Sequence, residues 1–338
     1  MRSQRTTGDG VLQNRETYRF MYRRVILRGL AGTVGTGILA ACGGARTRDM
    51  PASATTNAPV PTVPPGQRVI VAVTTTQLQD FVRNVGGDHV TVLGILKPNV
   101  DPHDYEPTVD DASAIATADM IVVHGAGLDA WMDKTLKTAN TKAPVVTATA
   151  DIALLKGDKN EPEGNPHVWF DPTLVKPMAR AIASGLATVD PINAGGYQQN
   201  AMVYGAQLDQ LDGQLKGIFD RVPKEQRKLV TNHDAFRYLA RRYDLTIVGA
   251  VIPSLSDSAE PSPRQINDLI DTIRQEKVKA IFAESSANPK VAQQVAKETG
   301  VKIVDTLYAD TLGEPGSAAD TYLKMMVYDA NAIAGALQ

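Results

Sequence analysis

Three of the five histidines in this 338-residue chain lie in separate, strongly patterned segments. His103 lies in Asp-Pro-His-Asp-Tyr-Glu-Pro, His167 in Asn-Pro-His-Val-Trp, and His233 in Asn-His-Asp-Ala-Phe. Roughly 65 residues separate each histidine from the next, so only a folded scaffold could bring the three imidazoles together. Imidazoles that converge in this way are typical of a transition-metal site, because neutral imidazole is a common ligand of such ions.

A carboxylate is predicted beside these imidazoles. Each of the three histidines lies on a connection that follows a predicted strand, and Asp310 follows the last predicted strand. Ligands of parallel α/β sheets collect at the carboxyl ends of the strands, so the four side chains are expected to share one crevice. Three neutral imidazoles and one carboxylate would form a four-ligand site of net charge −1, which suits a borderline divalent metal.

Three further residues have more open roles. Glu284 ends the seventh predicted strand and faces the same presumed crevice, where it could be a metal ligand, a partner of a histidine, or a loop anchor. His89 and His124 fit commoner roles of histidine, the first as a surface residue before a strand and the second as an internal hydrogen-bonding residue at a strand end.

The elements that must position these residues are short apolar runs that alternate with helical stretches. The predicted strands are residues 69–73, 90–95, 120–123, 145–148, 229–231, 245–249, 280–283 and 302–304. Runs of this kind are too apolar for a sheet with one face in water, so they indicate parallel sheets with helices on both faces. The first set is interleaved with predicted helices at residues 76–85, 108–117 and 128–138.

A long helix is predicted between the two sets of strands. Leu208, Leu211, Leu215 and Ile218 form an apolar stripe on one face of a stretch that starts near Pro191 and ends at Asp220. About 28 helical residues span roughly 42 Å. The predicted fold class is α/β: two similar lobes, each a four-stranded, mainly parallel sheet covered by helices, joined by one long rigid helix. The predicted boundaries are 68–190 for the amino-terminal lobe, 191–222 for the linking helix and 223–338 for the carboxyl-terminal lobe.

The first 42 residues resemble a lipoprotein signal peptide. Residues 29–41 are small or apolar and uncharged, and Leu39-Ala40-Ala41-Cys42 resembles the bacterial lipobox, in which the cysteine is acylated. Residues 22–28 (Tyr-Arg-Arg-Val-Ile-Leu-Arg) fit either a twin-arginine signal or the basic region of a general secretory signal. Met21 is a possible true start. Residues 43–67 are rich in Pro, Thr, Ala and Gly, which predicts a flexible tether. The expected location is outside the cytoplasmic membrane, with a lipid anchor.

Charge and cysteine content argue against a nucleic-acid partner and against two kinds of cysteine site. Residues 1–42 hold seven of the basic residues and two of the acidic ones, so the remaining chain holds 28 basic and 35 acidic residues and carries −7. That balance argues against nucleic acid as a partner, which requires a basic face. Cys42 is the single cysteine, so neither an internal disulfide nor a cysteine-based zinc site can form.

From about Val69 onward the chain resembles the cluster 9 solute-binding lipoproteins of zinc and manganese ABC importers. The motifs that carry the resemblance are residues 102–108, 165–169, 233–236 with Tyr238, 283–286 and 308–313. The resemblance implies His103, His167, His233 and Asp310 as the metal ligands, two α/β lobes joined by a long rigid helix, and a monomer. It also implies two partners, a membrane permease and a cytoplasmic ATPase, and the chain has no Walker-type phosphate loop of its own.

Two departures from the family pattern bear on the metal. Asn165 stands where the family usually has Asp, and residues 155–164 lack the histidines that many zinc-specific members carry there. Against the second point, His233 resembles zinc-binding members, whereas manganese-selective members often have a carboxylate at this position. Imidazole-rich sites also favour zinc on intrinsic affinity. The sequence therefore predicts Zn²⁺ ahead of Mn²⁺ as the transported ion.

The expected function is metal capture for an ABC permease, without enzymatic activity. A zinc-dependent hydrolase is the alternative, because such enzymes keep one coordination position open for water. In that case Asp310 would not be a ligand and Glu284 would act as the base. A surface adhesin is a third hypothesis, which rests on the family resemblance alone.

Overall fold

Eight strands make up two parallel sheets in the part of the chain that the structure, a computed structural model, describes: residues 60, 62–157, 163–254, 260–285 and 288–338. The predicted signal peptide, Cys42 and most of the predicted tether lie outside these residues. The amino-terminal sheet has the order β2-β1-β3-β4. Its strands are β1 (Val69–Val73), β2 (Val90–Gly94), β3 (Met120–Val123) and β4 (Val145–Thr147).

The carboxyl-terminal sheet repeats this arrangement with the order β6-β5-β7-β8. Its strands are β5 (Lys228–Thr231), β6 (Thr246–Ala250), β7 (Ala280–Glu284) and β8 (Lys302–Leu307). Every pairing in both sheets is parallel. All eight predicted strands are therefore confirmed, and β8 runs three residues further than predicted.

Helices connect the strands, and side chains cap several helix starts. Thr75 accepts a hydrogen bond from the backbone N–H of Leu78, and Ser262 accepts one from Gln265, which satisfies donors that have no partner within the helix. The helices are α1 (Thr76–Gly86), α2 (Val109–Ala116), α3 (Met132–Ala139), α4 (Pro172–Val189), α5 (Ala194–Phe219), α6 (Arg237–Tyr243), α7 (Pro263–Glu276), α8 (Lys290–Thr299) and α9 (Tyr322–Leu337).

Both faces of each sheet are covered. Residues of α2 and α3 pack on one face of the amino-terminal sheet, and residues of α7 and α8 pack on one face of the carboxyl-terminal sheet. The opposite faces of both sheets belong to a single buried cluster that includes α1, α4, α5 and α9. Burial on both faces explains why the central strands β1, β3, β5 and β7 are mainly apolar, whereas the edge strands are partly exposed. The predicted α/β fold of two similar lobes is confirmed.

The long helix α5 spans both lobes. It has 26 residues, which correspond to roughly 39 Å. It packs against α1 and α4 of the amino-terminal lobe and against α6 and α9 of the carboxyl-terminal lobe. The predicted apolar stripe is buried along its whole length. The helix begins at Ala194 and not at Pro191, because Pro191–Asn193 form a turn of 3-10 helix.

Helix α3 also starts later than predicted. Residues 128–131 are not part of α3, because Gly125, Ala126 and Gly127 all have positive φ and the chain turns before the helix starts at Met132. No range was predicted for α6 to α9, or for α4, whose start combines an Asp171 cap with a proline in the first turn. Among the helices of the described residues, none has both the length and the apolar content of a membrane span.

Candidate metal centre

Four side chains from distant parts of the chain converge on one point. The Nε2 atom of His167 lies 3.3 Å from Nε2 of His103 and 3.2 Å from Nε2 of His233. The Asp310 carboxylate lies 3.2 Å from Nε2 of His167, 3.3 Å from Nε2 of His233 and 3.9 Å from Nε2 of His103. One ligand atom of each residue lies within 4.8 Å of all the others. The structure thus brings together all four predicted ligands.

Four of these separations, at 3.2–3.3 Å, match the edges of a small coordination polyhedron, and the fifth, between His103 and Asp310, is longer at 3.9 Å. For a tetrahedral ion with ligand bonds of about 2.0–2.1 Å, neighbouring ligand atoms lie about 3.3 Å apart. Imidazole nitrogens 3.2–3.3 Å apart require either a proton on one of the two or a cation between them, because two lone pairs repel each other. The arrangement therefore fits a divalent metal bound by three nitrogens and a carboxylate.

The topology of the sheets explains the convergence. His103 lies in the connection that follows β2, and His167 directly precedes the 3-10 turn Val168–Phe170 that leads into α4. His233 comes two residues after β5, and Asp310 comes three residues after β8. Since all strands of each sheet are parallel, these connections leave from the carboxyl ends. Each lobe therefore supplies two of the four side chains.

The centre is almost completely removed from solvent. The side chains of His167 and His233 are fully buried, that of Asp310 is 3% exposed and that of His103 is 10% exposed. An ion held there would be dehydrated, and His103 is the most exposed of the four side chains.

Burial and charge have opposite effects on the pKa values of these groups. Burial lowers the pKa of His167 to about 3. Burial alone would lower the pKa of His103, but the hydrogen bond and charge of Asp310 outweigh it and raise the pKa above its ordinary value. Burial opposes ionisation of Asp310, but the charge of His233 and the hydrogen bonds of His103 and His167 hold the pKa of this carboxyl well below its usual range. The carboxylate is thus ionised and available to a cation.

Each histidine is held by a further group. Asn165 Oδ1 lies 3.0 Å from Nδ1 of His167. Glu284 Oε1 lies 2.6 Å from Nδ1 of His233, so Glu284 is on the opposite side of that ring from the ligand cluster. The backbone N–H of His103 donates to Asp101 Oδ1 over 2.7 Å. Of the three roles considered for Glu284, this position favours the histidine partner.

Carbonyl groups next to the four clustered residues are also held by side chains, two of them tryptophans for which no such role was predicted. Trp131 Nε1 donates to Pro102 O, and Trp169 Nε1 donates to Ala309 O, each over 3.0 Å. The ring of His124 lies 2.8 Å from Pro166 O, as expected for an internal hydrogen-bonding residue. Each of these carbonyls directly precedes a predicted ligand. No local signal in the sequence could have found these pairs, because 29 to 140 residues separate the partners.

Proteins with similar sequences are named for the metals that they bind or transport. The sequence model of the family described as "ZnuA: Zinc-uptake complex component A periplasmic" matches residues 71–336. The chain is 31% identical over 280 residues to the manganese ABC transporter substrate-binding lipoprotein PsaA of Streptococcus mitis, which covers 80% of this chain and 90% of PsaA. It is 34% identical over 266 residues to the iron-binding protein YfeA of Yersinia pestis, which covers 78% of this chain and 85% of YfeA.

Solved structures are similar across the same region. The periplasmic zinc binding protein TroA from Treponema pallidum superposes with a TM-score of 0.75 at 29% identity, covering 80% of this chain and 99% of TroA. A manganese-bound periplasmic metal binding protein from Candidatus Liberibacter asiaticus superposes with a TM-score of 0.72 at 28% identity, covering 80% of this chain and 100% of that protein. The chain therefore belongs to the ZnuA family, whose members are substrate-binding proteins of metal ABC importers and not enzymes.

Proposed function

We propose that this protein captures Zn²⁺, in preference to Mn²⁺, outside the cytoplasmic membrane and delivers it to the permease of an ABC importer. The observation that carries the proposal is the buried cluster of His103, His167, His233 and Asp310, whose ligand atoms have the separations of a metal coordination sphere. In this proposal all four are ligands, and the ion is the transported substrate.

The choice of zinc depends on the chemistry of the four groups. Three imidazoles and one carboxylate favour zinc, whereas manganese prefers oxygen ligands and a larger coordination number. Four of the separations, at 3.2–3.3 Å, are those of a tetrahedral ion, whereas His103 and Asp310 lie 3.9 Å apart. Among the similar proteins, TroA is named for zinc, PsaA for manganese and YfeA for iron, so similarity alone supports only a divalent transition metal.

Location and partners follow from the amino terminus and the family. We propose that Cys42 is acylated, that residues 43–67 tether the folded lobes to the membrane, and that the protein acts as a monomer. The name of PsaA as a substrate-binding lipoprotein of an ABC transporter supports both the anchor and the permease. Energy for transport would come from the ATPase of the importer.

The structure also bears on how the ion enters and leaves. Each lobe supplies two ligands, so release requires the lobes, or the loops on them, to move apart. Because α5 packs against helices of both lobes, we expect small shifts of loops and lobes and not a wide opening.

The decisive test is the metal content and competitive affinity of the purified protein for zinc and manganese, compared with His233→Ala and Asp310→Ala. We expect one tightly bound zinc and a loss of about 100-fold or more in affinity in each variant, which corresponds to about 2.7 kcal/mol. His89→Ala is the matched control, because His89 is exposed and outside the cluster. The absence of stoichiometric metal from the unaltered protein would refute the proposal, and tight manganese with weak zinc would refute the choice of metal.

The same variants test the hydrolase alternative. If Asp310→Ala kept zinc at full affinity, Asp310 would not be a ligand and one coordination position would be open. The position of Glu284 behind the His233 ring argues against its acting as a base on a metal-bound water.

A further inference from the structure

Asn165 lies between two of the loops that carry the candidate ligands, and its side chain is fully buried. Its Oδ1 accepts a hydrogen bond from the backbone N–H of His167 over 3.0 Å and lies 3.0 Å from Nδ1 of the same residue. Its Nδ2 donates to the carbonyl oxygen of Asp234, the residue after His233, over 2.8 Å. One amide therefore contacts a ligand-bearing segment of each lobe.

The partners determine which way the amide points. The backbone N–H of His167 can only donate and the carbonyl of Asp234 can only accept, so the oxygen must face His167 and the nitrogen must face Asp234. Since Oδ1 can only accept, Nδ1 of His167 carries the proton. Nε2 of His167 then presents its lone pair to the ligand cluster.

The Asn165 backbone takes part in the same connection between the lobes. Tyr238, on α6 of the carboxyl-terminal lobe, donates its hydroxyl proton to the carbonyl of Asn165 over 2.8 Å. The same hydroxyl accepts a hydrogen bond from the backbone N–H of Leu155 over 2.9 Å. The segment before His167 is thus held from the carboxyl-terminal lobe at two places.

We propose that Asn165 is a positioning residue that fixes the tautomer of His167 and ties it to the His233 loop across the two lobes, and that this role requires an amide. A carboxylate in the same place could still accept from His167, but it has no donor for Asp234 and would set two oxygens against each other. The tie must break when the lobes separate, so it slows release of the ion. This inference rests on the proposed metal-binding function.

The variants separate the two parts of the role. Asn165→Asp keeps an acceptor for His167 and loses the donor to Asp234, whereas Asn165→Leu keeps the approximate volume and loses both contacts. Tyr197→Phe is the matched control, because it also removes a buried hydrogen bond, from the Tyr197 hydroxyl to Asp190, at a site away from the ligand cluster.

Zinc release is measured on the zinc-loaded full chain by rapid mixing with an excess of a chromophoric chelator. We expect zinc release from Asn165→Leu to be about tenfold faster than from the unaltered protein. The increase in Asn165→Asp should be smaller, severalfold, because the added negative charge attracts the ion and opposes its release. Tyr197→Phe should release zinc at the unaltered rate. Release from Asn165→Leu at the rate of Tyr197→Phe would overturn the tie between the lobes. An unaltered rate in Asn165→Asp would overturn the requirement for an amide.

The tautomer is measured without metal, by the ¹⁵N chemical shifts of the His167 ring in histidine-labelled protein. We expect the proton on Nδ1 in the unaltered protein and in Asn165→Asp, and a mixture of tautomers in Asn165→Leu. A ring in Asn165→Leu that keeps the unaltered shifts would overturn the positioning role. Failure of the unaltered protein to bind zinc at all would instead refute the proposed function, so the two failures are distinguishable.

Discussion

The three histidines of the cluster all direct Nε2 toward the same point, but their surroundings differ. His167 is fully buried with a lowered pKa, whereas His103 is partly exposed and has a pKa raised by Asp310. His233 is fully buried with a carboxylate at the far side of its ring. For His167 and His233, the contact that the ring makes through Nδ1 orients Nε2 toward the cluster, so the residue type alone does not determine how each ring is held.

Glu284→Gln tests this support at the residue scale. We expect zinc affinity to fall by about 10–100-fold. A neutral amide accepts the hydrogen bond from Nδ1 of His233 more weakly than a carboxylate does, so Nε2 becomes a weaker donor to the metal. The measurement is a competition titration against a chelator of known affinity. Glu276→Gln is the control, because Glu276 pairs with Lys228 away from the centre. Unchanged affinity in Glu284→Gln would show that the 2.6 Å contact with His233 has no role in binding.

At the scale of elements, α5 combines a structural role with a weak intrinsic helix preference. It contains Gly195, Gly196, Gly205, Gly213 and Gly217, and glycine in a helix costs about 1 kcal/mol relative to alanine. The helix is therefore held mainly by its buried stripe and by its packing against both lobes.

Gly217→Ala is expected to stabilise the protein by up to about 1 kcal/mol, because a methyl group there meets no atom within 4 Å. Gly185→Ala in α4 is the contrasting variant. A methyl group at Gly185 would clash with Val146 and Met120, so we expect a loss of about 1–3 kcal/mol. Urea denaturation measures both free energies of unfolding. Destabilisation by Gly217→Ala would mean that α5 requires glycine at this position.

The contact between α1 and α9 predicts a dependence of stability on pH. Asp80 Oδ2 accepts a hydrogen bond from the backbone N–H of Tyr322, and burial raises the pKa of Asp80 from 3.8 to about 6. The folded protein holds this proton more tightly than the unfolded chain does. The contribution of Asp80 to the free energy of unfolding is therefore greatest below about pH 4. About 3 kcal/mol of this stabilisation is lost as the pH rises through about 6.

Asp80→Asn should remove this part of the pH dependence, because an amide keeps an acceptor for Tyr322 and does not ionise. The measurement is the free energy of unfolding of both proteins at several pH values between 4 and 7. The variant is expected to gain stability relative to the unaltered protein as the pH rises through this range. A constant difference between the two proteins would contradict the raised pKa.

At the scale of the whole molecule, the candidate metal centre joins the two lobes. Each lobe supplies two of the four clustered side chains, and one continuous buried cluster connects the sheets through α4, α5 and α9. Binding of an ion should therefore stabilise both lobes together.

Zinc at about 100 times its dissociation constant is expected to raise the free energy of unfolding by about 2.7 kcal/mol, which corresponds to roughly 5–10 °C in Tm. Thermal denaturation with and without zinc measures the shift, and Asp310→Ala should show little of it. Hydrogen exchange should show added protection in the connections that carry ligands in both lobes. Protection confined to one lobe would argue that the ion is not held between them.

Much of the fold was predictable because its signals are local. The eight strands are short, mainly apolar runs that stand out in the chain, and the stripe from Leu208 to Ile218 identified α5. The start of α3 was predicted too early because three successive residues with positive φ are set by a turn that Asp129 stabilises. Helix α4 was not identified, although its proline and Asp171 cap are local signals.

The chemistry of the candidate centre was predictable from residue types and strand order: which four side chains carry suitable ligand atoms, and that parallel strands would bring them to one edge. Their separations, the position of Glu284 behind His233, and the contacts of Asn165 with both loops are visible only in the folded molecule. This is because residue type and strand periodicity act over a few neighbouring residues. Distances between loops on different lobes depend instead on how α5 and the shared core set the two sheets against each other.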